Sequence, residues 1–145
     1  EEEKLWLGRR SAFGVMSRKM PTCVLEDCTV PVSNLPAMIK GTVEIGEKYK
    51  LTIGVMAHAG DGNTHPMIVT DKRDKEEWER VEKAVSEIFQ LAVDLGGTLS
   101  GEHGIGISKK QFLPLIMNED ARKLMVEIKS VLDPKGILNP GKFIE

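Results

Sequence analysis

The chain carries no excess of positive charge: 20 Lys and Arg stand against 22 Asp and Glu, a formal net charge of -2. Without a basic field it has no electrostatic footprint for nucleic acid. Cysteine is scarce, with only Cys23 and Cys28. The two lie five apart in one extended segment, and residues an odd number apart on a strand face opposite sides. They read as small buried side chains, not as a disulfide or a CxxC site. No apolar run approaches the ~20 residues of a membrane-spanning helix. The start, Glu1-Glu2-Glu3-Lys4, has none of the basic character of a signal peptide and begins as if inside a helix. It reads as a piece of a longer chain. Proline and glycine, 7 and 14 residues, are too few for a fibrous or disordered chain.

What remains is ordinary globular composition, 41% hydrophobic and 29% charged, at a length that favours one domain. Residues 4–18 mix Leu5, Trp6, Phe13 and Met16 with Arg9, Arg10 and Arg18, and predict a helix that Pro21 ends. Residues 22–30 read as a strand. Ser33 and Pro36 open a helix running to about Lys48. Residues 51–57 are the clearest strand, Asp61-Gly62-Asn63 is a turn, and 64–70 return as a strand. Pro66 is expected only near that strand's start or on an edge.

Trp78, Val81, Val85, Ile88, Ala92 and Leu95 recur at spacings of three and four over 74–95. They mark the most secure helix, capped by Asp74 and stopped by Gly96-Gly97. A short strand at 98–100, a glycine-rich stretch at 101–106, a short helix at 108–116 and a helix from Asn118 to Asp133-Pro134 complete the chain. Trp78, Met67 and Met125 read as core. The central order β-α-β-β-α-β predicts an α+β fold with a ferredoxin-like antiparallel sheet and flanking N- and C-terminal helices.

The three histidines, His58, His65 and His103, all fall in glycine-rich segments at strand ends. A hairpin through His58-Ala59-Gly60-Asp61-Gly62-Asn63-Thr64-His65 brings the first two imidazoles close. Neutral imidazole ligates zinc and other first-row metals. If the segment at 98–100 joins the same sheet, Glu102 completes a set of two imidazoles and one carboxylate. Such a set leaves coordination positions open. His103 would then sit just outside it, within reach of a substrate. Taken alone, the spacing of His58 and His65 is weak evidence, and Asp-Gly-Asn is common hairpin chemistry. Gly101 to Gly106 lacks the Lys-Ser/Thr of a phosphate loop and the order of a dinucleotide fingerprint.

Three segments occur in order: His58 to His65, Gly101-Glu102-His103-Gly104-Ile105-Gly106, and Asp133-Pro134 through Leu138-Asn139-Pro140-Gly141-Lys142. Together with Leu5-Trp6-Leu7-Gly8-Arg9-Arg10 they resemble the C-terminal cap domain of FAD-linked oxidases of the vanillyl-alcohol-oxidase superfamily. The resemblance is strongest to the glycolate oxidase flavoprotein subunit and to D-lactate and D-2-hydroxyglutarate dehydrogenases. It implies that residues 1–145 form a substrate-binding cap and that a separate domain holds FAD. It implies His58, His65 and Glu102 as ligands of a divalent metal (zinc, manganese or iron) and His103 as the catalytic base. Arg9 matches the clamp on the substrate carboxylate, with Arg10 as the fallback, and Asn139 packs near the flavin.

The implied partners are a small 2-hydroxy acid, the flavin-binding domain and an iron–sulfur or other electron-transfer subunit. The implied location is cytoplasmic, peripheral to the inner membrane only through partner subunits. Relatives acting on larger dicarboxylates carry Asn at the position of Met67 and Lys near Leu25, so the resemblance implies a small monocarboxylate here. A homodimer formed through an uncovered apolar face is also expected. The alternative is a non-catalytic metal-binding or assembly module without a flavin partner.

Overall fold

The computed structural model describes residues 1–142. Its elements in chain order are α1 (Glu2–Met16), β1 (Thr22–Leu25), β2 (Cys28–Thr29), α2 (Leu35–Tyr49), β3 (Thr52–His58), β4 (Asn63–Thr70), α3 (Lys75–Asp94), the single turn α4 (Gly106–Lys109) and α5 (Glu119–Leu132). Short 3-10 turns cover Val32–Asn34 and Lys110–Leu115.

The sheet is antiparallel and centred on β4. β3 pairs along one edge of it, and β1 and β2 pair along the other. Leu25 opposes Met67 and Cys28 opposes Thr64 in one continuous register, so β1 and β2 are a single strand interrupted at Glu26 and Asp27. The expected strand at 98–100 is reduced to one bridge, Thr29 to Thr98. That bridge sets the fourth position beside β2 and completes the ferredoxin-like order.

Alternation along β4 separates the two faces of the sheet. Ile68 points into the core with Val81, Ile88, Phe89 and Ala92 of α3 and Met38 of α2. The odd-numbered residues of β4, His65 among them, face the other way. Gly41 of α2 lies where a Cβ would run into Leu91 of α3, so the glycine that weakens the helix also lets the two helices approach.

Asp74 caps α3 by accepting from the Glu77 N–H, as its position predicts. At the other end Gly97 N–H donates to the Ala92 carbonyl and Gly96 N–H to Val93, the paired bonds of a glycine-terminated helix. Asn118 caps α5 in the same manner.

Several boundaries differ from expectation. α2 starts one residue later than a Ser33 cap predicts, with Asn34 at the N-cap, because 32–34 form a 3-10 turn in which Asn34 Nδ2 donates to the Leu95 carbonyl. The segment 108–116 is one α turn followed by a 3-10 turn containing Pro114. Pro66 sits inside the central strand, neither near its start nor on an edge. Its missing N–H falls on the side of Glu26, whose own N–H donates to the Pro66 carbonyl at 2.9 Å. Met67 is core, whereas Met125 is only half-buried. Both cysteines are free thiols, and burial pushes Cys28 up to about 11. Among the described residues no helix is long and apolar enough to cross a membrane.

Candidate metal centre

Strand register builds the site. His65 opposes Met56, and His58 lies two residues beyond Met56 on the same strand. Cross-strand partners share a face, as do residues two apart. His58 and His65 therefore project from the same face of the sheet, the one opposite α2 and α3. Their rings meet edge to face with centroids 5.4 Å apart. The bridge at Thr98 delivers the loop 100–104 to the same place. His103 stacks on His65 at 5.1 Å.

All three imidazoles converge on one oxygen. Glu102 Oε1 is 2.9 Å from His65 Nε2, 3.7 Å from His58 Nε2 and 3.7 Å from His103 Nε2. One ligand atom from each of His58, His65 and Glu102 lies within 4.8 Å of the other two. Ligands around a tetrahedral ion at bond lengths of 2.0–2.2 Å stand about 3.3–3.6 Å apart. The donor types are those that hold a divalent metal, and the two Glu102 separations of 2.9 and 3.7 Å bracket that spacing. His65 is nearly buried, while His58, Glu102 and His103 remain half-exposed, so the cluster is open to a small ligand.

Residues outside the predicted ligand set support this cluster from beneath. The Asp27 carboxylate is fully buried. It accepts from Asn63 Nδ2 at 2.9 Å and Ser100 Oγ at 2.5 Å, and from the backbone N–H groups of Gly101 (3.0 Å), Glu102 (3.1 Å) and His103 (2.9 Å). Burial alone would raise its pKa. The bonds from Ser100, His103, Glu102 and Gly101 outweigh burial and hold the carboxyl far below the usual carboxylate range.

Lys109, also buried, donates to the carbonyls of Asp27 (2.6 Å) and Leu99 (2.8 Å). Its ammonium is 3.8 Å from the Asp27 carboxylate and 4.0 Å from that of Glu26. Burial pushes the Lys109 pKa down, against the pull of those two acids. Burial pushes Glu26 up, with Lys109 opposing. A pair of acids interrupting the run Thr22-Cys23-Val24-Leu25 was the available signal, because carboxylates inside a strand this apolar need buried partners.

Two predicted residues stand apart from the cluster. Arg9 lies on α1, exposed, with its guanidinium 5.9 Å from the Trp6 ring centroid. Neither it nor Arg10 makes an ion pair with a described residue. Asn139 adopts a left-handed backbone (φ 51°) in the tail after α5. There it lines a groove with Met125, Leu132, Leu138 and Lys142. The tail is held by Asp133, which accepts from the N–H groups of Ile137 and Leu138 and pairs with Lys129 at 2.6 Å.

The fold and the site define a class: an α+β module that presents a histidine–carboxylate cluster on the face of a ferredoxin-like sheet opposite α2 and α3. Comparison with known proteins narrows it. Residues 1–143 match the family model described as FAD linked oxidases, C-terminal domain. The chain is 46% identical over 145 residues to glycolate oxidase subunit GlcD of Bacillus subtilis, and 38% identical over 144 residues to the protein of that name from Escherichia coli K12. It is 33% identical over 145 residues to a D-lactate dehydrogenase [cytochrome] of Arabidopsis thaliana mitochondria. Each match covers 99% of the chain but only 31%, 29% and 26% of the relative, so the chain spans about three tenths of these proteins. The chain belongs to the C-terminal domain family of FAD-linked oxidases.

Proposed function

We propose that this chain is the substrate side of an FAD-dependent 2-hydroxy-acid dehydrogenase or oxidase, of the glycolate or D-lactate type, which yields a 2-oxo acid. The observation that carries the proposal is the convergence of His58, His65 and His103 on Glu102, in a chain of the FAD-linked oxidase family. The match to the C-terminal domain of the family, and the chain's span of about three tenths of its relatives, support assigning the FAD to a domain outside this chain.

Oxidation of R–CH(OH)–COO⁻ removes a proton from oxygen and a hydride from carbon. FAD would supply the hydride acceptor, and a divalent zinc, manganese or iron ion would supply positive charge that acidifies the hydroxyl. His58, His65 and Glu102 would hold that ion and leave positions open for substrate. His103 Nε2 stands beside the ligand carboxylate and takes the hydroxyl proton. Arg9 offers a two-pronged donor to the substrate carboxylate, and Asn139 lies toward the flavin. Electrons would leave the flavin for an iron–sulfur subunit, a cytochrome or a quinone.

Leu25 and Met67 are opposed on the same face as His65. Neither side chain offers a polar group where relatives acting on larger dicarboxylates carry Asn and Lys, which favours a small monocarboxylate.

Plasma mass spectrometry of the purified chain and of a His58→Ala/His65→Ala variant tests the ligand set. Near-stoichiometric zinc, manganese or iron, lost in the variant, is expected. Absence of metal from both removes the cation from the mechanism. Fused to or co-expressed with a flavin-binding domain, the chain should support glycolate or D-lactate oxidation. His103→Ala should then lower kcat by about 10²–10⁴-fold, and unchanged kcat would reject His103 as the base.

A further inference from the structure

We propose that the two-residue interruption Glu26–Asp27, together with Pro66 opposite it, is the device that positions the His58–His65–Glu102 set, with Asp27 acting as a positioning residue. The inference rests on the functional reading above and concerns residues that contribute no ligand atom.

The interruption lies where β1 and β2 face His65 and Pro66 of β4 in an unbroken register. Glu26 donates its N–H to the Pro66 carbonyl. In an antiparallel pair the reciprocal bond would run from the residue-66 N–H to the Glu26 carbonyl. Proline has no N–H, so that carbonyl is left free inside the sheet. His65 Nδ1 approaches it at 3.4 Å. A hydrogen on Nδ1 directed at that carbonyl would leave the Nε2 lone pair, on the Glu102 side, for a cation held between Nε2 and the carboxylate. The proline thus has a use in a central strand, where it costs a ladder bond.

Asp27 supplies the second tie. Three consecutive N–H groups, from Gly101, Glu102 and His103, point at its carboxylate. Ser100 donates to the same carboxylate and accepts from the Gly104 N–H at 2.7 Å, which closes the loop on itself. Asn63 donates to it from the residue that opposes His58. A Cβ on Gly101 would run into Asn63 Nδ2 and Thr29 Oγ1, so the loop is pressed against the strands with no slack. Each of the three ligands is one step from the interruption: His65 through the Glu26 carbonyl, Glu102 through its own N–H, and His58 through Asn63. Asparagine at position 27 would keep the volume but turn an NH₂ toward donors that need an acceptor.

The test uses the full chain and two variants, Asp27→Asn and Pro66→Ala. Zinc affinity is measured by titration calorimetry and backbone opening by hydrogen exchange. Asp27→Asn is expected to weaken zinc binding by about 10–100-fold. It should also accelerate exchange at residues 101–103 while leaving 67–70 and α3 unchanged. Pro66→Ala restores a donor to the Glu26 carbonyl and is expected to weaken zinc binding with exchange at 101–103 unaltered. Unchanged zinc affinity in both variants, or uniform acceleration across the chain, overturns the proposal. If Asp27→Asn fails to fold, Ser100→Ala removes one tie of the same network and should give the same local pattern, smaller in size. If the parent chain takes up no zinc, the metal reading of the cluster fails. The exchange pattern alone then judges the loop: selective acceleration at 101–103 supports positioning by Asp27, and none overturns it.

Discussion

α3 and α5 are both amphipathic, both capped by an acid or amide side chain, and they end in opposite environments. α3 buries Val81, Ala84, Ile88, Phe89 and Ala92 against the sheet. α5 buries no residue, and Val131 and Leu132 are 78% and 76% exposed. α1 resembles α5, with Leu5 at 74% and no buried side chain. Periodicity fixes which face of a helix is apolar, but not what covers it. The sheet with α2 and α3 carries its own core and the site. The terminal helices carry apolar surface that waits for something else.

Truncations at corresponding depths would break that comparison most sharply. Phe89, fully buried with its ring edge-on to Phe112 at 4.9 Å, should cost about 3–5 kcal/mol as Phe89→Ala. Leu132→Ala should stay within about 0.5 kcal/mol. Urea denaturation followed by circular dichroism reads both. A loss at Leu132 comparable to that at Phe89 would show that α5 is part of the same cooperative unit. Gly101→Ala should fall between the two. Its Cβ meets Asn63 and Thr29 side chains, an overpacking that costs about 1–3 kcal/mol. It should also loosen the loop that carries Glu102.

The same contrast explains what the amino-acid pattern could and could not reveal. The α3 face, both side-chain helix caps and the hairpin follow local rules, so those elements stand where periodicity and capping place them. The ferredoxin-like order follows from element sequence alone. The last strand was overread because Thr98-Leu99-Ser100 has strand composition, yet only Thr98 finds a partner. Of the site, the pairing of His58 with His65 is legible in the hairpin, and Glu102 and His103 follow from the expectation that 98–100 joins the same sheet, which the single Thr29–Thr98 bridge is enough to meet. Asp27, Ser100 and Lys109 are not legible, since they meet across 73 and 82 residues and no local rule links them. Arg9 is not tied to the cluster because α1 has little packed against it.

Two neighbouring acids sharpen the comparison within the core itself, and their pH signatures have opposite sign. Asp27 titrates below its ordinary value of 3.8 when folded. Its ionised form is therefore bound more tightly in the native state. Its contribution is complete above 3.8 and is lost progressively as pH falls below it toward the lower folded value. Glu26 titrates above its ordinary 4.5. Just above 4.5 the folded chain holds the proton more tightly than the unfolded chain, so ionisation of Glu26 erodes stability as pH rises through that window. Glu26→Gln should therefore melt higher than the parent at pH 7, and the advantage should vanish below pH 4. Asp27→Asn should melt lower at pH 7, with the gap narrowing in acid. Thermal melts from pH 3 to 8 decide this, and parallel curves for the two variants would reject the assignment of opposite shifts.

The smallest thermodynamic effect should come from the terminal helices, and there association is the informative readout. Polar replacements at Leu5, Val131 and Leu132 remove exposed apolar area without opening a cavity. The unfolding free energy of the isolated chain should move by less than about 0.5 kcal/mol for each. Self-association should respond, because contiguous exposed apolar surface marks a contact site. If these faces are the seat of the flavin-binding domain, the isolated chain should pair through them at high concentration, and the triple variant should remain monomeric. Fusion to a flavin-binding domain should have the same effect as the triple variant, by covering the surface instead of removing it. Light scattering across a hundredfold concentration range separates the cases. A parent chain that stays monomeric throughout would show that α1 and α5 do not drive pairing. Dimers that persist in the triple variant would place the contact on another face.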